Sequence, residues 1–317
     1  MTQSGGRRRR LAEELEESGL ALTMADPLRE MLLEEVDFAL RPFVHERRVQ
    51  NGGTILDPLA PPESWAAGTQ LDVWHSPVNA EHLGLSRRFV DGMSSWLIRH
   101  TDGQGDEWAL FDRPAGSERD LVVLADVFEA TIVQRHPSGV VRVVGDFGVL
   151  RWEGIEWHHE PPVSIWADTV ADASFLGDAE VVEALLRLAV HDLGSLGVGA
   201  LLIYRPDPDP RALVEERLPT PPPLRIRSAS QLAPLRHALA HVDGAAVFDG
   251  DGVLRHLGVL LIPSPDSEKA VEAIGGARHT AGRRYSHDDP SATVIVVSED
   301  GPVSVLRDGA VLDRPAR

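Results

Sequence analysis

The stretch IGGARHTAGRRYSHDD, residues 274–289, places basic side chains directly behind two glycines in a chain whose formal net charge is −18. If a helix begins near residue 278, Gly275 and Gly276 lie at its N-terminal approach, where backbone amides are unpaired and the helix dipole is positive. Arg278 adds a planar guanidinium suited to phosphate oxygens, and His279 adds a smaller donor. The pattern predicts a polyphosphate site, or alternatively a solvated helix start after a glycine turn.

A second candidate group, HVDGAAVFD, occupies residues 241–249. Asp243 and Gly244 stand at the start of a predicted strand, where a carboxylate can hold the divalent cation that a triphosphate needs for charge neutralisation. The alternative is an ordinary Asp-Gly turn between a helix and a strand. A nucleotide site requires the fold to bring Asp243 and the basic group at Arg278 together in space.

The elements that must position both groups alternate between helix and strand. Apolar residues at helical spacing predict a helix over residues 182–193, and Ser230 can cap another that runs to about Ala240. Strands are predicted at residues 198–204, 244–249, 253–263, 292–298, 302–306 and 310–312. This order indicates an α/β C-terminal domain with a central sheet flanked by helices, and the closing hairpins make that sheet mixed.

The first half of the chain has a different pattern. Residues 1–10 are predicted to form a mobile tail, with contact of Arg7 to Arg10 with nucleic acid or a membrane surface as the alternative. Helical spacing follows up to about Val49. Runs rich in β-branched and aromatic residues predict strands at residues 121–134, 139–159 and 163–167. We therefore expect a separate α+β domain over residues 11–170, followed by the second domain over residues 172–317.

Composition limits the class of protein. The chain has 317 residues, of which 43% are hydrophobic and 25% charged, which is typical of a globular protein with two domains. It has no cysteine, so disulfides, thiolate metal sites and a cysteine nucleophile are excluded. The acidic balance disfavours general nucleic-acid binding. There is neither an apolar run of about 18 residues nor a secretory signal, so a cytoplasmic protein without a membrane partner is expected.

Several separated segments of the second half together resemble the diadenylate cyclase (DAC, or DisA_N) domain family. The segments are GALLIY, HVDGAAVFDGDGVLRHLGVLLIP, GGARHTA and TVIVVSEDGPVSVLRDG, within about residues 172–317. The family has an Asp-Gly-Ala motif, an Arg-His-Arg motif preceded by Gly-Thr, and a strand ending in Val-Ser. The resemblance implies that two ATP molecules are condensed into cyclic di-AMP with release of two pyrophosphates, with Mg²⁺ or Mn²⁺. It also implies self-association, because two domains must meet face to face.

The resemblance carries roles over to individual residues. Asp243 should bind the metal and orient the attacking hydroxyl, while Gly244 and Ala245 leave room for the nucleotide. Leu261 or Ile262 is a candidate for the adenine contact. The candidate contacts to the triphosphate are Gly276, Arg278, His279, Thr280 and Ser298.

This chain departs from the family pattern at two positions. Ala277 stands where the family has Thr, and Thr280 stands where the third motif residue is usually Arg. Arg283 or Arg284, one turn further along the helix, could supply the missing charge or could be surface arginines. The sequence therefore leaves open an active cyclase whose first domain is regulatory, a weakened module that binds ATP or a cyclic dinucleotide, and an interaction scaffold.

Overall fold

The computed structural model describes residues 3–78, 83–170, 175, 177–206, 214–215, 217–273, 276–299 and 303–312. The chain divides into two compact units, Met1–Pro162 and Val163–Arg317. This boundary lies eight residues before the predicted end of the first domain at residue 170, while the predicted start of the second domain at residue 172 is outside the described residues. Helix α6 (Val163–Val170) belongs to the second unit because Trp166 and Val170 are buried in its core.

The first unit is an α+β domain built on one mixed sheet. Its strands follow the order β10-β9-β8-β7-β3-β5-β6-β4, in which only the β3–β5 pair is parallel. Two helices, α3 and α5, cover one face, and α1 and α2 cover the other. The strands of the sheet are β3 (Gly52–Leu56), β4 (Val73–Pro77), β5 (Ser95–Arg99), β6 (Glu107–Phe111), β7 (Thr131–Arg135), β8 (Val141–Gly145), β9 (Gly148–Trp152) and β10 (Trp157–Glu160). The remaining elements are α1 (Gln3–Glu17), α2 (Asp26–Leu40), the paired strands β1 (Val44–His45) and β2 (Arg48–Val49), α3 (Pro62–Thr69), α4 (Leu83–Ser86), a 3₁₀ turn (Arg87–Phe89) and α5 (Glu118–Phe128).

Two segments predicted as strands are helical. In α5, the Ser117 side chain accepts a hydrogen bond from the Asp120 backbone, and the Asp120 side chain accepts one from the Ser117 backbone. This capping box satisfies two amide donors that a helix start leaves unpaired. The prediction of strand at residues 121–128 is therefore wrong, as is that at residues 163–167. In both segments the buried side chains recur at helical spacing: Leu121, Leu124, Ala125 and Phe128 in α5, and Val163, Trp166, Ala167 and Val170 in α6.

Helix α1 replaces the tail that the sequence predicted for residues 1–10. It begins at Gln3 and carries apolar residues into the core of the first unit: Leu11, Ala12 and Leu15. Arg7 Nε lies 2.7 Å from a carboxylate oxygen of Asp37, and Arg9 pairs more loosely with Glu13. Like charges that were expected to keep this segment unfolded are thus partly neutralised by acidic neighbours.

The second unit confirms the predicted α/β class with a mixed central sheet. Its strands are β11 (Ala200–Tyr204), β12 (Val214–Glu215), β13 (Ala245–Phe248), β14 (Leu254–Leu261), β15 (Thr293–Val297), β16 (Ser304–Arg307) and β17 (Ala310–Leu312). The strand order in the sheet is β12-β14-β13-β11-β15-β16-β17, in which the β11–β13 pair is parallel and the other pairs are antiparallel. Its helices are α6, α7 (Ala179–Arg187), which continues as a π-helical turn (Leu188–Leu193) and a 3₁₀ turn (Gly194–Leu196), α8 (Ala229–His241), α9 (Pro265–Ala270) and α10 (Ala277–Asp288).

The central strands of this sheet are buried on both faces. Along β11, Leu202 and Tyr204 pack into a core with α6 and α7, while Leu201 and Ile203 pack into a second core on the opposite face with Tyr285 of α10. A strand buried on both faces gives the continuous apolar run seen in the sequence. In the part of the chain that the structure describes, no helix combines the length and the apolar character needed to cross a membrane.

Candidate functional site

Three strands of the second sheet meet at the edge where the candidate residues lie. β11 and β13 are parallel and begin side by side, since Leu201 pairs with Ala245. β15 runs antiparallel to β11 and ends where β11 begins, because Ala200 pairs with Val297. The residues that precede β11 and β13 and those that follow β15 therefore emerge at the same edge.

A cleft of about 240 Å³ opens at this edge. It brings together Asp243 and Arg278, which are 35 positions apart in the sequence. Its lining residues are Gly197, Val198, Gly199, Leu239, Ala240, Val242, Asp243, Gly244, Arg278 and Glu299. The cleft therefore combines one guanidinium with two carboxylates, on a wall that is rich in glycine.

The Arg278 side chain is hydrogen-bonded to a carboxylate and packs against a glycine. Its Nη1 atom lies 3.0 Å from Oε1 of Glu299, and both side chains are partly exposed. A Cβ atom at Gly199 would stand 2.2 Å from Nη1 and 2.8 Å from Cζ of Arg278. The guanidinium can lie against the backbone before β11 only because residue 199 has no side chain.

The backbone around Gly244 is fixed by the neighbouring strand. Gly244 has a φ of +106°, and a Cβ there would stand 2.7 Å from the carbonyl carbon of Gly258 on β14. Gly258 itself has a φ of +70°, and the pairing of β13 with β14 is irregular beyond Ala245. Glycine is thus required at 244 by strand packing. The same close approach sets the course of the chain at Asp243.

The N-terminal turn of α10 has the features that the sequence predicted for an anion site. Gly276 is the N-cap residue, no side chain caps the turn, and the turn contains no acidic residue. A Cβ at Gly276 would meet no atom of the described residues within 4 Å. The first-turn amides and the positive end of the helix dipole are therefore accessible to an anion. Gly275 lies outside the described residues.

The remaining sequence candidates do not line the cleft. Nε2 of His279 lies 3.3 Å from Oγ of Ser304 on β16. Ala245 and Leu261 are buried in the apolar core shared with α10, which is where strand residues of this type normally lie. Thr280 donates its backbone amide to the Gly276 carbonyl, within the first helical turn. Ser298 directly follows β15 and is half-buried, and Ile262 is exposed after β14.

Arg283 and Arg284 do not supply charge to the cleft. Nε of Arg283 donates to the Gly309 carbonyl at 3.0 Å, and its Nη1 donates to the Glu272 carbonyl at 3.2 Å. Nε of Arg284 lies 3.4 Å from the Val271 carbonyl. Both guanidinium groups thus face loop backbone on another side of the helix.

Sequence reasoning did not single out Gly199 and Glu299. Gly199 belongs to the GVG stretch immediately before β11, and Glu299 directly follows the predicted contact Ser298. The available signal was that Gly199 and Glu299 lie at the ends of two predicted strands. Strand order decides whether those ends meet, and a single sequence does not reveal it.

The lining offers hard oxygen donors for a divalent cation. Asp243 and Glu299 are the two carboxylates in the cleft, and the described residues contain no cluster of three or more His, Cys, Asp or Glu able to hold a metal ion. Mg²⁺ is commonly bound by one or two carboxylates together with substrate phosphates and water. The donor set fits a cation that arrives with a nucleotide better than a permanent structural ion.

Two family models match the chain, one in each unit. Residues 187–311 match the family described as "DisA bacterial checkpoint controller nucleotide-binding", abbreviated DAC. This range includes every residue that lines the cleft. The C-terminal unit carries a diadenylate cyclase domain. The family resemblance recognised in the sequence is thereby confirmed, and residues 9–160 match a second family, described as "Probable sensor domain DACNK".

Solved structures share limited similarity with this chain. A hypothetical membrane spanning protein from Bacillus cereus is 18% identical, with 47% of this chain and 69% of that chain covered and a TM-score of 0.35. A double mutant of DacA from Staphylococcus aureus is 21% identical, with 42% and 84% covered and a TM-score of 0.27. No curated protein matches the chain.

Proposed function

We propose that this chain is a diadenylate cyclase that condenses two ATP molecules into cyclic di-AMP and two pyrophosphates. The proposal rests on one observation: Asp243 and Arg278 line one cleft at a sheet edge, beside an open helix N-terminus, within a DAC domain. Asp243 would bind Mg²⁺ or Mn²⁺ there, and the cation would neutralise charge on the triphosphate and activate the attacking hydroxyl.

The side chains of the cleft would mainly position the reacting groups. Arg278 would exchange its contact with Glu299 for phosphate oxygens, and the first-turn amides of α10 would donate hydrogen bonds to the phosphate. Asp243 would orient the 3′-hydroxyl of one ATP toward the α-phosphate of the other. A new bond would then form between that oxygen and the α-phosphorus, the bond to pyrophosphate would break, and the hydroxyl proton would pass to water. The same step on the other ATP would close the ring and release the second pyrophosphate. Positioning and charge neutralisation supply most of the catalysis in phosphoryl transfer.

The proposed reaction makes each cleft a half-site, because the nucleotide held by one copy must react with the nucleotide held by the other. Two copies facing each other would enclose two nucleotides between equivalent surfaces, which suits an isologous dimer. Self-association and ATP are therefore the proposed partners, and a cytoplasmic location is proposed because ATP is the substrate. The first unit would act as the regulatory domain.

A second function, ATP or cyclic-dinucleotide binding without turnover, is favoured by a specific feature of α10. Its first turn has Ala277 in place of the hydroxyl residue of the family, and Thr280 in place of the second arginine. Neither Arg283 nor Arg284 replaces that charge, because both donate to loop carbonyls. A loss of two phosphate contacts would reduce turnover before it abolished binding.

Incubation of the full chain with ATP and Mn²⁺, followed by chromatography, distinguishes these functions. We expect cyclic di-AMP from the unaltered chain and at least 100-fold less, on the order of a lost metal ligand, from Asp243→Asn. Asp251→Asn is the matched control, since Asp251 is an exposed carboxylate in the turn at the other end of β13. Calorimetric ATP binding without product would select the binding module, and neither binding nor product would refute both.

A further inference from the structure

A segment of the second unit, Ser264–Glu272, is bound along one side of α10 by hydrogen bonds and an ion pair. At its start, Asp288 near the end of α10 accepts hydrogen bonds from the Ser264 backbone at 2.9 Å, from the Ser264 hydroxyl at 2.6 Å and from the Ser267 hydroxyl at 2.7 Å. Ser267 is fully buried. These hydrogen bonds hold the pKa of Asp288 below its ordinary value, although burial of the carboxyl opposes them. The start of α9 is therefore tied to the C-terminal end of α10.

Two arginines fasten the rest of the segment. Arg284 places Nη1 3.9 Å from Glu268 and Nε 3.4 Å from the Val271 carbonyl. Arg283, one residue closer to the helix start, donates through Nη1 to the Glu272 carbonyl at 3.2 Å. As the segment advances from 264 to 272, its contacts move back along α10 from 288 to 283. The segment and the helix are thus joined in antiparallel fashion by side chains of the helix.

The contacts between α10 and the segment Ser264–Glu272 end shortly before the candidate anion site. Glu272 lies four residues before Gly276, the N-cap of α10. Arg283 also donates through Nε to the Gly309 carbonyl, so one guanidinium holds both this segment and the turn between β16 and β17. A planar guanidinium can donate to two carbonyls in fixed directions, which a lysine ammonium on a flexible stem does not reproduce. The chain up to Glu272, four residues before the N-cap of α10, is therefore restrained by side chains of α10.

We propose that Arg283 and Arg284 are positioning residues that set the conformation of the N-terminal turn of α10, and hence of the proposed phosphate-binding site at Gly276 and Arg278. Their guanidinium groups bind backbone carbonyls and, for Arg284, the Glu268 carboxylate, and neither residue lines the cleft. This inference rests on the proposed function in one respect, that the nucleotide triphosphate occupies the turn at Gly276 and Arg278. It explains why the basic group of the sequence extends a full turn beyond the motif.

Hydrogen exchange and steady-state kinetics on the full chain test this role. In Arg283→Met we expect backbone amides of residues 271–280 to exchange about ten-fold faster in the absence of nucleotide, the effect of losing a charged hydrogen-bond donor. With ATP and Mn²⁺ we expect KM to rise about five- to ten-fold while kcat changes less than about two-fold. Arg283→Lys keeps the charge but loses the planar guanidinium that donates to two carbonyls, so it should still raise KM about three-fold.

Arg187→Met is the matched control, since Arg187 is an exposed arginine that pairs with Glu183 on α7. An effect of this control equal to that of Arg283→Met would overturn the proposal, as would a KM for Arg283→Lys equal to that of the unaltered chain. Faster exchange that extends through β11 and β15 would also overturn it, because the role would then be general stability. Faster exchange confined to residues 271–280 in a chain that binds no ATP would refute the proposed function and leave the positioning role standing.

Discussion

Gly199→Ala tests whether the position of Arg278 matters for nucleotide binding. The added Cβ would stand 2.2 Å from Nη1 of Arg278, where ordinary contact begins at 3.4 Å, so the guanidinium must move by about 1.2 Å. The backbone of Gly199 does not have the positive φ that would make alanine costly, and the atom displaced is the end of a flexible side chain. The change therefore acts on the cleft with little effect on folding.

The expected magnitude follows from that displacement. A misplacement of about 1 Å in a reacting constellation can reduce turnover about 100-fold. The partly exposed contact between Arg278 and Glu299 contributes at most about 1 kcal/mol to stability, so its disruption should lower the unfolding midpoint only slightly. We expect ATP affinity, measured by calorimetry, to weaken by about ten-fold and cyclic di-AMP formation to fall by about 100-fold.

Gly84→Ala is the control for Gly199→Ala. Among the residues that the structure describes, no atom would lie within 4 Å of a Cβ at Gly84, so this variant should behave as the unaltered chain. Suppose that Gly199→Ala binds ATP with unaltered affinity and forms product at the unaltered rate. The guanidinium of Arg278 then does not act from the position described, and the proposed triphosphate-binding site is refuted. Parallel thermal unfolding would separate this result from a loss of folded protein.

Further predictions concern the cleft, the core and alkaline stability. Glu299→Gln should tighten metal-free ATP binding about three- to ten-fold in calorimetry, because a carboxylate that competes for Arg278 and repels phosphate is removed; weaker binding would contradict this. Leu202→Ala should lower the free energy of unfolding in urea by about 2–5 kcal/mol, since Leu202 is fully buried on the central strand, and a loss below 1 kcal/mol would be inconsistent with a close-packed site there. Burial raises the pKa of Tyr285 to about 12. Folding thus disfavours its phenolate, so the contribution of Tyr285 to the free energy of unfolding should be fully present below pH 10 and be lost between pH 10 and 12. When unfolding is followed by circular dichroism, this loss of stability should be smaller in Tyr285→Phe.

Local patterns predicted most elements of the second unit. The apolar run at residues 198–204 indicated a buried strand, and β11 is a strand that is buried on both faces. The glycines at 275 and 276 indicated a helix start near residue 278, and α10 begins at Ala277. These features depend on neighbours within a few residues, which is why a single sequence sufficed. The prediction failed at residues 121–128, where β-branched composition outweighed a capping box and helical spacing that were also present in the sequence.

The direction of individual side chains could not be predicted. Arg283 and Arg284 carry the same charge as Arg278 and stand on the same helix, yet they bind loop carbonyls instead of lining the cleft. Successive helical residues project about 100° apart, so what each one meets depends on the elements packed around the helix. Those elements come from distant parts of the chain, and their placement follows from the sheet order.

The sequence by itself determined the chemical groups: an Asp-Gly pair before a strand, a glycine and an arginine at a helix start, and the family to which the second unit belongs. Only the tertiary structure decided that Asp243, Arg278, Gly199 and Glu299 share one cleft. The physical reason is that β11 and β13 run parallel while β15 runs antiparallel beside them, so that the ends of three distant segments meet at one edge. Strand order and direction result from packing across the whole domain, and no local stretch of the chain contains them.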